Sequence, residues 1–357
     1  MQQVDARPIL ITGGAGFIGS NLADRLASQG HEIIVYDALA RAGVDRNLDW
    51  LKSVHGDRIT SIVGDVRDED QLARAVAEVK AVFHMAAQVA VTTSLVDPRE
   101  DFDINVRGTL NLLDAVRLRR EPVPVIFAST NKVYGDLGDF ELDTLHERYE
   151  PRSFLARRGV DESRPLDFHT PYGCSKGAAD QYVLDYCRSF GIPTVVFRMS
   201  CIYGQRQMGT EDQGWVAHFL IRALEGRPIT IYGDGKQVRD ILDVSDAADA
   251  YIRALDNIGV VAGRAYNLGG GPDNAISLLQ LLDEIRTLVG RDVELHFEDW
   301  RQGDQRWYVS DTQSVRQALE LRRPRAWRDG VARLAEWLAH EREIDLQPHL
   351  HLANAAQ

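Results

Sequence analysis

The chain is poor in the features that mark several large protein classes. It has only three cysteines, Cys174, Cys187 and Cys201. The count is odd and no two of them form a CxxC pair, so neither a disulfide framework nor a zinc site is expected, and a reducing compartment fits. The ten histidines are scattered without an HxxxH pair on an expected helix, and no metal site is expected. No apolar run is long enough to cross a membrane, and the N-terminus lacks a charged-then-apolar signal pattern. We therefore expect a cytoplasmic protein. Basic residues are outnumbered: Lys and Arg total 41 against 53 Asp and Glu, for a net charge of −12. That balance argues against a nucleic-acid partner, although a few converging arginines can still hold a small anion.

What is present is an ordinary globular composition, 44% apolar and 26% charged, over 357 residues. That length suits a large domain and a smaller one. Short apolar runs alternate with amphipathic stretches through the first half. Strands are expected at 8–12, 32–37, 59–63, 81–85, 123–128 and 194–198, with helices at 17–29, 68–79, 101–118 and 172–190. Strands apolar at nearly every position are covered on both faces, and their alternation with helices implies a parallel, doubly wound α/β sheet of Rossmann type. Residues 137–169 break the rhythm and read as a long polar insertion. Further helices are expected at 215–224, 244–255 and 278–289, the last capped by Ser277, with a short strand at 228–232. The resulting division is a mainly dinucleotide-binding domain over 1–204, a smaller α/β substrate lobe over 205–344, and a tail over 345–357 that reads as disordered.

The strongest local signal is Thr12-Gly13-Gly14-Ala15-Gly16-Phe17-Ile18-Gly19, at the junction of an expected strand and helix. Gly13 permits a tight turn, Gly16 a close approach of backbone to pyrophosphate, and Gly19 close helix–sheet packing. The helix start at Phe17 and Ile18 supplies N–H groups and partial positive charge for phosphates. Asp37, ending the second strand, suits a ribose diol and repels a 2′-phosphate, which favours NAD over NADP. Arg41 stands close by and weakens that preference. Asp65 and Val66 are placed to touch adenine. Ala86 and Ala87 are small enough to let a dinucleotide lie against the chain, and Gln88 follows them in the expected cofactor set.

Tyr172 and Lys176 lie four residues apart at the start of a helix and share a face. An ammonium beside a phenol favours the phenolate, which can take a proton from a sugar hydroxyl. The bland alternative is an exposed tyrosine and a surface lysine. Ser129 and Thr130 end the fifth strand, and Thr130 is the better placed to share the substrate proton.

Together these residues resemble the extended short-chain dehydrogenase/reductases, the sugar-nucleotide epimerase/dehydratase family, from about Ile9 to about Trp337. The resemblance implies tightly held NAD, regenerated in each cycle, and a nucleotide-sugar substrate. It also implies a support role for Asn105 beside the active site, and a homodimer or homotetramer through helices 101–118 and 172–190. Dehydratases of that family carry an Asp-Glu pair after the threonine. Here Asn131 and Lys132 stand in those places, which disfavours dehydration and decarboxylation. The runs Ser129-Thr-Asn-Lys-Val-Tyr-Gly-Asp136, Asp167-Phe-His-Thr-Pro-Tyr172 and Gln88-Val-Ala-Val-Thr-Thr-Ser94 are similar to the branch that epimerises C2 of CDP-linked 3,6-dideoxyhexoses, the CDP-tyvelose (CDP-paratose) 2-epimerases.

In that reading Arg239 and Arg306, joined by Arg206, face the diphosphate, since a guanidinium fork binds phosphate oxygens in pairs. Surface salt bridges are the rival reading for each. Gln213 and Trp215 are expected on the nucleotide and sugar. Thr92, Thr93, Ser94, Ser200 and Cys201 leave room for a sugar ring to turn. A 4-epimerase acting on a UDP-sugar is the alternative, and a non-catalytic NAD-binding regulator the distant one.

Overall fold

The computed structural model describes residues 6–346. Seven strands form its central sheet: β1 (Ile9–Thr12), β2 (Ile33–Asp37), β3 (Ile59–Val63), β4 (Ala81–His84), β5 (Val125–Thr130), β6 (Thr194–Met199) and β7 (Arg264–Leu268). All pair in parallel, in the order β7-β6-β5-β4-β1-β2-β3. Every residue of β1, β4 and β5 is buried, as their unbroken apolar runs require of strands covered on both faces. One face is closed by Leu22 and Leu26 of helix Phe17–Ser28, Leu48 and Leu51 of helix Val44–His55, and Tyr251 of helix Val244–Asp256. The other is closed by Leu72, Leu112, Val116 and Val183 from three further helices. The strand order turns back between β1 and β4, and ligands bind such sheets in the crevice outside the strand ends at that point.

A second apolar cluster lies beyond β6. Helices Trp215–Leu224, Leu278–Val289 and Trp327–Glu341 build it with Ile229, Ile231, Ile241 and Ile276. Strand Val238–Asp243 pairs with Ala275–Ser277, Trp307–Tyr308 and Cys201–Tyr203, which ties this lobe to the end of β6. Ser277 caps its helix as expected, in a reciprocal capping box with Gln280.

Several elements differ from the sequence expectation. The helix expected at 101–118 is interrupted. Helix Pro98–Phe102 passes through a π-helical turn, Asp103–Arg107, into Gly108–Arg117. The insertion at 137–169 holds an antiparallel hairpin, Leu142–Thr144 with Tyr149–Pro151, and is pinned to the body by Val160 N–H on the Val309 carbonyl at 2.7 Å. Strand Val238–Asp243 was missed because its Arg and Asp residues look like surface. They are buried, with Arg239 paired to Asp304 and Asp240 bonded by Ser200, Ser310 and the Gly271 N–H. Helices Val44–His55 and Trp327–Glu341 and strand β7 also went unread. Of the expected tail, 347–357 lies outside the described residues, while Leu346 packs on the second cluster. Among the described residues no helix is long and apolar enough to cross a membrane.

Candidate active site

A cleft of about 850 Å3 opens at the C-terminal ends of β1, β2, β4, β5 and β6 and continues into the second lobe. Its floor at one end is the glycine turn. Gly13 has φ +67°, and a Cβ there would lie 2.7 Å from the Ala86 nitrogen. A Cβ on Gly19 would lie 2.2 Å from the Gly13 carbonyl oxygen, so only glycine lets the helix start against the turn. Helix Phe17–Ser28 has no acidic residue in its first turn and no side-chain cap, which leaves its leading N–H groups for an anion. Asp37 accepts hydrogen bonds from Ala15 N–H at 3.0 Å and Leu39 N–H at 2.9 Å. Burial raises its carboxyl above the ordinary value, against the pull of those backbone donors. The cradle, the open helix end and the carboxylate at the rim fit a dinucleotide with a free ribose diol. Val66, Ala86, Ala87 and Arg41 line the same end. Asp65 lines it too, but its carboxylate is held by Arg67 at 2.6 Å, so what it offers the cleft is a neutralised group.

Midway along the cleft, helix Thr170–Phe190 brings Tyr172 and Lys176 to the end of β5. The Thr130 hydroxyl donates to Asn131 Oδ1 at 3.3 Å and neighbours Tyr172, whose phenol it draws toward ionisation. Ser129 is turned the other way, donating to Asp180 at 2.8 Å within a buried pair in which Arg198 grips both Asp180 oxygens at 3.0 Å. The charge balance differs from the simple expectation. Burial pushes the Tyr172 phenol up to about 12, outweighing the pull of Thr130, and the Asp101 charge adds to the rise. Burial also draws Lys176 down to about 7, against the opposing charges of Asp180 and Asp101. Its Nζ sits over the Phe127 ring, 4.1 Å from the centroid. Lys176 is thus a poorly solvated cation, and that cost sets the pair's electrostatics.

Toward the second lobe, Asn131 donates to Gln305 Oε1 at 3.3 Å. Lys132 Nζ donates to the Gly303 carbonyl at 3.0 Å and lies 3.9 Å from Asp304. Arg239 meets the same Asp304 at 2.5 Å and lines the cleft. Cys201 accepts from the Trp215 indole N–H at 3.4 Å, and Ser200 donates to the Asp240 carbonyl oxygen at 2.8 Å. Both present small, already bonded groups to the cavity wall beside Thr92. Gln213 pairs with Arg41 across the mouth.

The structure brings some expected residues elsewhere. The Arg206 guanidinium lines the cleft but stacks 3.9 Å from the Trp50 ring centroid and 5.3 Å from that of Trp337, so it also clasps two helices. Arg306 lies over Tyr149 and Trp300 and does not line the cleft. Gln88 bonds its own loop at Ala90, and Asn105 holds that loop by accepting from Gln88 N–H at 2.9 Å. Ser94 accepts from Tyr172 N–H at 3.2 Å, behind the wall, and Thr93 does not reach the cavity.

Conversely, Arg301 and Tyr232 line the cleft, with the guanidinium 3.8 Å from the ring centroid, and sequence reading passed over both. Arg301 stands two residues before Gly303-Asp304, inside a stretch whose later arginine drew attention instead. His84, closing β4 behind Lys176, was also missed. It sits between the hydroxyls of Thr12 at 2.6 Å and Thr109 at 3.0 Å, and burial holds it neutral, down to about 3.

A family model described as the NAD dependent epimerase/dehydratase family matches residues 9–269. The chain is 44% identical to the CDP-paratose 2-epimerase of Salmonella typhi, over 92% of this chain and 98% of that enzyme. Two solved structures superpose closely. One is the UDP-glucose 4-epimerase of Thermus thermophilus in complex with NAD, at TM-score 0.77 and 29% identity, covering 93% of this chain and 98% of that one. The other is DesIV, a dTDP-glucose 4,6-dehydratase of Streptomyces venezuelae with NAD bound, at TM-score 0.81 and 28% identity, covering 94% and 98%.

Proposed function

The chain belongs to the NAD dependent epimerase/dehydratase family, and from that premise we propose that it inverts C2 of a CDP-linked 3,6-dideoxyhexose, interconverting CDP-paratose and CDP-tyvelose. The observation that carries the reaction class is the pair beside Thr130. A dehydratase needs a carboxylic acid and a carboxylate there, and the cleft instead presents the Asn131 amide and the Lys132 ammonium, each bonded to the 303–305 loop. Burial lowers the Lys132 amine, but Asp304 at 3.9 Å acts the other way and favours its charged form. Epimerisation through a transient ketone is the family chemistry that the remaining groups serve. The choice of C2 and of CDP rests on the Salmonella typhi relative.

A C2–H with no ketone beside it is not acidic, so direct deprotonation is barred. NAD supplies the oxidising and reducing equivalents at that carbon. Gly13, Gly16, the N–H groups at Phe17 and Ile18, and Asp37 would hold it. Tyr172 takes the proton of the C2 hydroxyl as the C–H bond breaks, and returns it to the same oxygen when a C–H bond forms on the opposite face. Thr130 holds the hydroxyl against Tyr172, and the Lys176 charge favours the phenolate. Ser200 and Cys201, bonded outward, give the flat ketone a smooth wall along which to turn. Arg239, Lys132 and Arg301 supply positive charge at the diphosphate end.

Two further proposals go with this reading. The helices at 98–117 and 170–190 expose Phe102, Tyr182 and Phe190, an apolar face suited to a homodimer or a homotetramer. All three cysteines are free, which suits the cytoplasm.

The test is a comparison of substrates by proton NMR. Conversion of CDP-paratose at C2, with UDP-glucose left unchanged, is the expected outcome. Conversion of UDP-glucose to UDP-galactose, with CDP-paratose untouched, would replace C2 by C4 and CDP by UDP.

A further inference from the structure

One buried carboxylate has no part in the mechanism above. Asp101 lies in the last turn of the helix Pro98–Phe102, just before the π-helical turn, and it is 1% exposed. Its Oδ1 accepts from the Asn105 amide at 3.2 Å, and its Oδ2 is buried without a partner. Among the described residues it has no ion pair. A buried carboxylate left this open is costly unless a nearby charge compensates it.

The fastening of Asp101 points to that charge. The Asn105 amide that holds it also reaches Ser175 Oγ at 3.0 Å, and Ser175 in turn donates to the Tyr172 carbonyl at 3.2 Å. Asp101 is therefore tied to the one helical turn from which Tyr172 and Lys176 project. The groups around Lys176 leave it little else. On its own helix Asp180 is gripped by Arg198 from β6 and by Ser129 from β5. From β4 comes His84, which is neutral, and from β5 the Phe127 ring. Asp101 is the other carboxylate whose charge reaches it.

We propose that Asp101 is a positioning residue that keeps Lys176 in its ammonium form beside Tyr172, an inference that rests on reading Tyr172 and Lys176 as the catalytic pair. Burial draws the Lys176 amine down, and the charges of Asp180 and Asp101 act in the opposite direction. Asp180 is paired with Arg198 and organises the β5–β6 wall while its charge also reaches Lys176, whereas Asp101 has no cation of its own among the described residues and adds its charge to that effect.

The chain contains only five lysines, so selective labelling with [15N-ε]lysine makes Lys176 observable, assigned by its loss in Lys176→Met. The titration is run on the NAD-containing protein, for wild type and Asp101→Asn. The expected result is a Lys176 midpoint lower by about one to three pH units in the variant. The alkaline limb of the epimerisation profile should move down with it, while Asp101→Glu keeps both near wild type. An unchanged midpoint in Asp101→Asn overturns the proposal, as does a rate loss equal at every pH. Should Asp101→Asn fail to fold, Asp101→Ser retains an acceptor for Asn105 and gives the same reading. The NMR midpoint needs no substrate, so a wrong sugar would show in the activity assay alone and a wrong role for Asp101 in the titration.

Discussion

The two ends of the cleft are built on different principles. At the dinucleotide end the recognition surface is backbone: a glycine turn, a helix start without a cap, and the small Ala86 and Ala87 facing it. At the sugar-diphosphate end it is made of long side chains, each with a choice of partners. Arg206 stayed on the cleft but took two tryptophans, Arg239 stayed there but took Asp304, and Arg306 lies off it over Tyr149 and Trp300. Backbone recognition is fixed by residues a few positions apart, so it survives as a motif. Side-chain recognition depends on what folds in from a distance, and it leaves no local trace.

That contrast can be tested by removing parts from each end. The largest effect is expected where the ends meet. Tyr172→Phe should lower kcat by about 10²–10⁴-fold while the purified protein keeps its NAD, measured by turnover and by cofactor content after denaturation. Gly13→Ala should separate the ends in the opposite sense. A Cβ at φ +67° and 2.7 Å from Ala86 strains the turn, so NAD content should fall along with the unfolding temperature. At the sugar end, Arg301→Ala should raise KM about tenfold or more with kcat nearly kept, as loss of a charged hydrogen bond to the diphosphate would. Arg306→Ala should change KM by less than about twofold, because its guanidinium lies outside the cleft. Equal effects from the two arginines would contradict their different places.

The smallest effect is on stability. Lys176 in the folded protein titrates at about 7, below its unfolded value, so the unfolded chain binds more protons from there up to the ordinary lysine range. Stability from this group therefore rises with pH across that window and is lost as pH falls toward 7. In NAD-free protein, Lys176→Met should flatten the rise in urea midpoint between pH 7 and 9 relative to wild type.

Most of the scaffold was legible in the sequence, for physical reasons. Strands buried on both faces must be apolar nearly throughout, which exposed β1, β4, β5 and β6. Only glycine fits at positions 13 and 19, which exposed the dinucleotide end. The YxxxK spacing showed Tyr172 and Lys176 sharing a face. The unread parts are those where burial is achieved by pairing. Val238–Asp243 carries an arginine and two aspartates into the interior, and only their distant partners explain it. Ser129 looked like a proton carrier beside Thr130 until Asp180 and Arg198 were placed behind it. The lowered tyrosine pKa expected from a neighbouring ammonium was reversed by burial, which spacing along a helix does not reveal.

The central claim is that the sugar is oxidised and reduced by a cofactor that never leaves, with Tyr172 moving the proton. The most direct measurement is proton NMR of the purified protein with CDP-paratose in D₂O and no added NAD. The account predicts interconversion at C2 with no deuterium at that carbon, since the hydrogen removed is the one returned. Deuterium at C2, or no conversion even after NAD is supplied, would contradict it.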